Sequence, residues 1–212
     1  MPEDARETSL QNALKVLIGL TGMYCAGKNH IAALLEARGL PVLDVDKLGY
    51  NVLETEKEAV FAQFGYDLQK DDGTLDRRLL GQKVFGESKK LTALEVIVHP
   101  PVNRLTNEWI AAQKGSCVIN AAVLHKSVAF SNLDRVILVE APFLTRLLRA
   151  KKRDKLPLQA ILKRFNSQKD FNSQYLTINA EIYRVENPGL QNSRYLRKKL
   201  EFRIDKLMEG IK

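Results

Sequence analysis

The chain has 212 residues, 45% of them hydrophobic and 27% charged. That length and balance suit one domain with at most an embedded subdomain, and exclude a disordered, collagenous or low-complexity chain. No apolar run reaches the ~18 residues of a membrane helix, while 33 lysines and arginines against 25 acids, a net charge of +8, imply polyanionic partners such as nucleotides, phosphorylated metabolites or nucleic acid.

In chain order, residues 1–13 are polar and acidic, without apolar periodicity. They read as an N-terminal extension with no export signal, which sets a cytoplasmic expectation. Leu14 to Leu20 is an apolar, β-branched run and predicts a strand. Asn29 to Arg38 has helical spacing (Ile31, Leu34, Leu35) and ends at Gly39. Leu40 to Asp46 reads as a second strand, closing a βαβ unit. From Leu48 to Lys114 the pattern is helical, with a turn at Asp71-Asp72-Gly73 and a break at His99-Pro100-Pro101, where one helix should end and another begin. Ser116 to Asn120 and Arg135 to Glu140 read as buried parallel strands. Helices are expected over Phe143 to Arg153 and Pro157 to Lys169, a short strand over Ile182 to Val185, and a basic closing helix over Asn192 to Met208. The sum is a three-layer α/β fold carrying a helical insertion. Cys25 and Cys117, the two cysteines, have no metal-ligand spacing and read as free thiols.

Between the first strand and the first helix lies Gly22-Met23-Tyr24-Cys25-Ala26-Gly27-Lys28-Asn29. It fits G-x-x-x-x-G-K, with Asn29 where Ser or Thr is usual. Glycines let successive backbone N–H groups wrap a phosphate, the helix N-terminus turns its partial positive charge toward it, and the lysine reaches the β and γ oxygens. Asn29 offers an amide oxygen in place of the hydroxyl that ligates Mg²⁺. Cys25 has two readings: a small side chain that the loop tolerates, or a thiol acidified by the loop dipoles and Lys28.

Asp44 and Asp46 close the second strand, at the end where ligands sit in doubly wound sheets, so one of them can accept a proton from an acceptor hydroxyl and the other orient water about the metal. Asp46 can equally cap the helix that follows. Arg146, Arg149 and Arg153 recur at three- and four-residue spacing on one helix face, either as a row closing over a transferred phosphoryl or as a solvated basic face. The basic closing helix, with Arg194, Arg197, Lys198, Lys199 and Arg203, lacks aromatic interleaving and reads as solvated surface rather than a nucleic-acid reader.

Taken together, Gly19-Leu20-Thr21-Gly22 through Gly27-Lys28, Val42-Leu43-Asp44-Val45-Asp46, Asp72-Gly73-Thr74-Leu75-Asp76-Arg77-Arg78, His99-Pro100 and Arg153-Asp154 resemble, in order and spacing, the dephospho-CoA kinases. The resemblance covers about Val16 to Met208. It implies a P-loop kinase fold whose parallel sheet carries a helical CoA-binding subdomain at about 48–114 and a lid at about 153–170, within one domain over 14–212. The implied reaction is ATP-dependent phosphorylation of the ribose 3′-hydroxyl of dephospho-CoA, the last step of coenzyme A synthesis, with Mg²⁺. Carried over by position, Asp46 is the general base, Lys28 the loop lysine, and Arg149 and Arg153 the lid-side arginines. Gly22, Cys25, Ala26, Gly27, Lys28, Asn29, His30 and Asn187 fall on the nucleotide, Asn29 on the metal, and Asp44, Arg77, Arg78 and His99 on the acceptor.

This chain departs from the family pattern at Met23 and Cys25, which replace loop glycines, and at Asn29-His30, which replaces Ser/Thr-Thr. It departs again at Ala122-Val123-Leu124-His125-Lys126, where Lys126 reverses the charge of a family glutamate. The expected partner is the small molecule dephospho-CoA, with no nucleic acid and no membrane, and the protein is expected to be a monomer or weak homo-oligomer. The alternatives are another nucleoside or nucleotide kinase on this scaffold, or a diverged nucleotide-binding protein with little activity.

Overall fold

The structure, a computed structural model, describes residues 15–84, 86–168, 171, 175, 178–189 and 193–209. The extension at 1–13 lies outside the described residues, as do the start of the first expected strand, Lys169 and Asn192 at two expected helix ends, and part of the expected lid. The chain forms two compact units, residues 44–110 and the remainder.

The larger unit is built on a five-stranded, mostly parallel sheet in the order β2-β3-β1-β4-β5. Its strands are β1 (Leu17–Gly22), β2 (Val42–Asp44), β3 (Cys117–Asn120), β4 (Arg135–Glu140) and β5 (Glu181–Glu186). β1 is central, wholly buried and paired with β3 and β4. Its near-continuous apolar sequence is what a strand covered on both faces requires. Ile18, Leu20, Val118, Ile137 and Val139 of the sheet pack with Ile31 and Leu35 of α1 (Lys28–Glu36). Leu200 and Ile204 of the closing helix, Arg194–Glu209, join the same core.

The smaller unit is helical: α2 (Val45–Thr55), α3 (Lys57–Phe64), α4 (Arg77–Val84) and α5 (Ser88–Ala112). Val60, Phe61, Leu68, Leu75 and Leu80 form its own core, with Leu94 and Ile97 of α5 packed on it. Back in the larger unit, α6 (Phe143–Asp154) and α7 (Leu158–Asn166) precede β5, and the closing helix is α8 (Arg194–Glu209).

Two sequence expectations are corrected. Asp46 does not close β2. The strand stops at Asp44, whose carboxylate accepts from the Lys47 backbone N–H at 3.0 Å and caps α2, so the helix begins at Val45 and Asp46 lies in its first turn, where an acid suits the helix dipole. Nor do Pro100 and Pro101 end a helix: both lie inside the 25-residue α5. An interior proline costs about 3 kcal/mol, but packing holds each half independently, Leu94 and Ile97 before the prolines and buried Val102 and Thr106 after them.

Candidate functional site

β1 delivers the chain to a tight loop at residues 23–27. The Ala26 N–H donates to the Met23 carbonyl at 2.9 Å, Cys25 adopts φ 60°, and Gly27 takes φ 93°, ψ 33° as the residue preceding α1. Left-handed backbone favours glycine, and space requires it too, since a Cβ on Gly27 would collide with the Asn187 side-chain amide. No side chain caps α1, so its positive end is kept for an anion, with Lys28 as its first residue.

The loop is braced from behind by residues distant in sequence. Arg149 on α6 donates to the carbonyls of Cys25 (3.2 Å) and Ala26 (2.8 Å) and to Asn187 Oδ1 (3.2 Å). Asn187, just past β5 and buried, donates through Nδ2 to the Ala26 carbonyl (2.9 Å), while its backbone N–H holds the Glu140 carbonyl (2.7 Å). Holding the Cys25 and Ala26 carbonyls in this way neutralises two of the loop's negative dipoles, which favours an anion at the uncapped start of α1.

The loop tip is tied to α6 and α7 through Tyr24. Its hydroxyl donates to Asp154 and accepts from Arg164 (3.2 Å), and its N–H donates to Gln168 Oε1 (2.6 Å). Arg153 and Arg164 lie over its ring at 5.3 and 5.6 Å. Asp154 also accepts from Arg153 (2.7 Å) and Arg164 (3.3 Å), so the Arg153 guanidinium holds its carboxyl below the ordinary carboxylate range and is itself pushed up by it. Burial, then the bond to Asp154, raises the Tyr24 phenol. Burial against Ala150, Ile161 and Phe165 pushes the Cys25 thiol up, outweighing Arg153, Arg149 and Arg146, in line with the reading of a small side chain that the loop tolerates.

Asn29 stands at the start of α1 with its Oδ1 accepting from Asn120 Nδ2 at 3.3 Å, which leaves a second lone pair. Asn120, at the ligand end of β3, is 1% exposed and its Oδ1 has no donor. Among the described residues no group of three His, Cys, Asp or Glu could hold a metal. This donor set fits a cation carried mainly by nucleotide phosphates and touched by one neutral oxygen. His30 is exposed one residue on. On the strand before the loop, buried Thr21 meets Tyr175 across a hydroxyl pair at 3.4 Å, and Tyr175 packs edge-on against His125, whose imidazole is held toward neutral by burial.

The helical unit presents the other sequence-derived residues. Thr74 donates through N–H (2.9 Å) and hydroxyl (2.6 Å) to Asp72 around Gly73 at φ 76°. Buried Leu75 anchors the turn, and Asp76 caps α4 by accepting from Arg78 and Leu79 N–H groups at 2.9 Å. The motif is thus a turn and a cap that set Arg77 and Arg78 on an exposed helix start, with Arg77 5.2 Å over the Tyr50 ring. His99 is half-buried on α5, next to the prolines.

Sequence reasoning did not single out Asn120, Arg164 or Gln168. Asn120 left a signal, a polar residue closing an apolar strand. Arg164 and Gln168 left none, because their partner Tyr24 is 140 and 144 positions away.

A family model described as dephospho-CoA kinase matches residues 16–183. The dephospho-CoA kinase of Treponema pallidum is 35% identical over 184 residues, 82% of this chain and 87% of that protein. A crystal structure of TT1252 from Thermus thermophilus aligns with TM-score 0.73 at 30% identity, covering 91% of this chain and 98% of that one. A dephospho-CoA kinase from Campylobacter jejuni shares the fold, with TM-score 0.58 at 23% identity over 92% of this chain and 96% of that one.

Proposed function

The chain belongs to the dephospho-CoA kinase family, and from that premise we propose that its phosphate loop, Lys28 and Asp46 transfer the γ-phosphoryl of ATP in line to the ribose 3′-hydroxyl of dephospho-CoA. The observation that carries this reading is the loop itself: carbonyls drawn back by Arg149 and Asn187, ahead of an uncapped helix whose first residue is Lys28. Such transfer depends on positioning and on offsetting charge rather than on covalent chemistry.

Gly22, Cys25, Ala26, Gly27, Asn29 and His30 bound the triphosphate, and Asn187 sets the turn on the adenine side. Lys28 and Arg153 offset charge on the phosphoryl group, and Arg149 acts by holding the loop. Asp46 accepts or orients the hydroxyl proton. Asp44, Arg77, Arg78 and His99 serve the acceptor, Arg77 and Arg78 as cations for its phosphates, within a CoA-binding helical subdomain, while residues from about 153 to 170 act as a lid. Asn29 would hold Mg²⁺, which would supply positive charge against the transferred phosphoryl group. The reading places a monomer or weak homo-oligomer in the cytoplasm, acting on a small molecule and not on nucleic acid or a membrane. No described helix is long and apolar enough to cross one.

The test is ATP consumption by purified protein with and without dephospho-CoA, with the phosphorylated position of the product read by mass spectrometry. ADP release that needs the acceptor and yields a 3′-phosphorylated product is expected. Lys28→Ala and Asp46→Asn should each lower turnover by about 100-fold or more with melting temperature unchanged. ATP binding without turnover, or a nucleoside lacking the pantetheine arm preferred as acceptor, would overturn the reading. Near wild-type turnover in Asp46→Asn would remove Asp46 as base.

A further inference from the structure

The three arginines of α6 share a helix face yet differ in what engages them. Arg149 is occupied by two loop carbonyls and Asn187, and Arg153 by Asp154. Arg146 has neither kind of partner. Its Nε is buried with no acceptor, its guanidinium lies 4.7 Å from the centre of the Phe165 ring, and no carboxylate among the described residues pairs with it. The ring gives a cation–π contact on one side but offers no hydrogen-bond acceptor to the N–H groups. A half-buried cation in this condition is unfavourable until an anion arrives. Its neighbour in the phosphate loop is the Cys25 thiol, which burial pushes up and which therefore offers no anion.

We infer that Arg146 is a ligand for an oxygen of the polyphosphate held by the loop, a nucleotide contact outside the residues that the family resemblance assigns. The contact with Phe165 holds the guanidinium in place before the nucleotide binds, so the contact forms at low entropic cost. The division of labour along α6 follows: Arg149 shapes the loop, Arg153 shares its charge between the phosphoryl group and the Tyr24 and Asp154 cluster, and Arg146 adds a cation that no described carboxylate engages. This assignment rests on the loop binding a nucleotide but not on which acceptor is phosphorylated.

The experiment titrates the purified full chain, in EDTA, with ATP, tripolyphosphate and adenosine by calorimetry. Arg146→Met keeps the aliphatic stem and removes the charge. It should weaken ATP and tripolyphosphate by about tenfold or more, the size of a charged hydrogen bond, and leave adenosine within about twofold. Arg146→Lys should recover part of the loss, since it restores charge without the planar fork. The salt dependence of ATP binding should be shallower in Arg146→Met than in wild type. ATP affinity within about twofold of wild type in Arg146→Met overturns the assignment, as does an equal loss for adenosine and ATP, which marks a packing or base-side role. If Arg146→Met does not fold, Arg146→Gln decides by the same criteria. A wild-type chain that binds none of the three overturns nucleotide binding and the assignment together, whereas ATP binding without turnover overturns the kinase reading alone.

Discussion

The phosphate loop and the helical unit hold their cations in opposite ways. The helical unit does it locally: Asp72, Thr74 and Asp76 shape the approach to Arg77 and Arg78 within seven residues, over a small core centred on Phe61. The loop is held from far away, by Arg149, Asn187 and Gln168 across 123 to 161 positions of sequence. Locality decides what a substitution should do. Changes in the helical unit's core should appear as stability, and changes around the loop as ligand affinity with little loss of fold.

The sharpest test of that contrast is Phe61→Ala. Emptying a site only 1% exposed should destabilise by about 3–5 kcal/mol, read by denaturant melts, with ATP affinity unchanged well below the melting point. Gly27→Ala comes next. Forcing a Cβ into left-handed backbone and against the Asn187 amide should cost about 2–3 kcal/mol of ATP binding, with a far smaller shift in melting temperature. Asn187→Ala leaves the Ala26 carbonyl and Arg149 each short of a partner and should weaken ATP by about 1–2 kcal/mol. An equal loss of stability there would break the contrast.

The smallest effect is expected at Asp154, whose partners Arg153 and Arg164 are largely exposed. Its carboxyl is held below its unfolded value, chiefly by Arg153. Its contribution is therefore present above the ordinary carboxylate range and lost as pH falls through the lowered folded value. Wild type should exceed Asp154→Asn in stability by about 1 kcal/mol or less at pH 7. The two should converge below the carboxylate range, as followed by melting temperature against pH.

The same division between local and distant explains what the sequence discloses. β1, α1 and the phosphate loop are legible because strand period, glycine spacing and lysine position are local signals. The motif from Asp72 to Arg78 is legible for the same reason, since its turn and cap close within a few residues. The strand ends two residues before Asp46 because β2 is only three residues long and Asp44 takes the cap. The two prolines of α5 look like a break to a local rule, which ignores the packing of Leu94 and Ile97 before them and the burial of Val102 and Thr106 after them. The arginine row was visible, but its sorting into brace, cluster and unpaired cation depends on Tyr24, Phe165 and Asn187, none of which is its neighbour in sequence.

The reach of those contacts also bears on when the site comes into being. A growing chain has β1, the loop residues and α1 long before Arg149 and Asn187 exist, so the loop cannot be finished when it is made. Closing a contact across 161 residues carries a loop-closure cost that local pairings avoid. Synthesis or proteolysis that stops short of Asn187 would leave the glycines and Lys28 in place and the cradle unformed, which makes the end of the chain the step that completes its beginning.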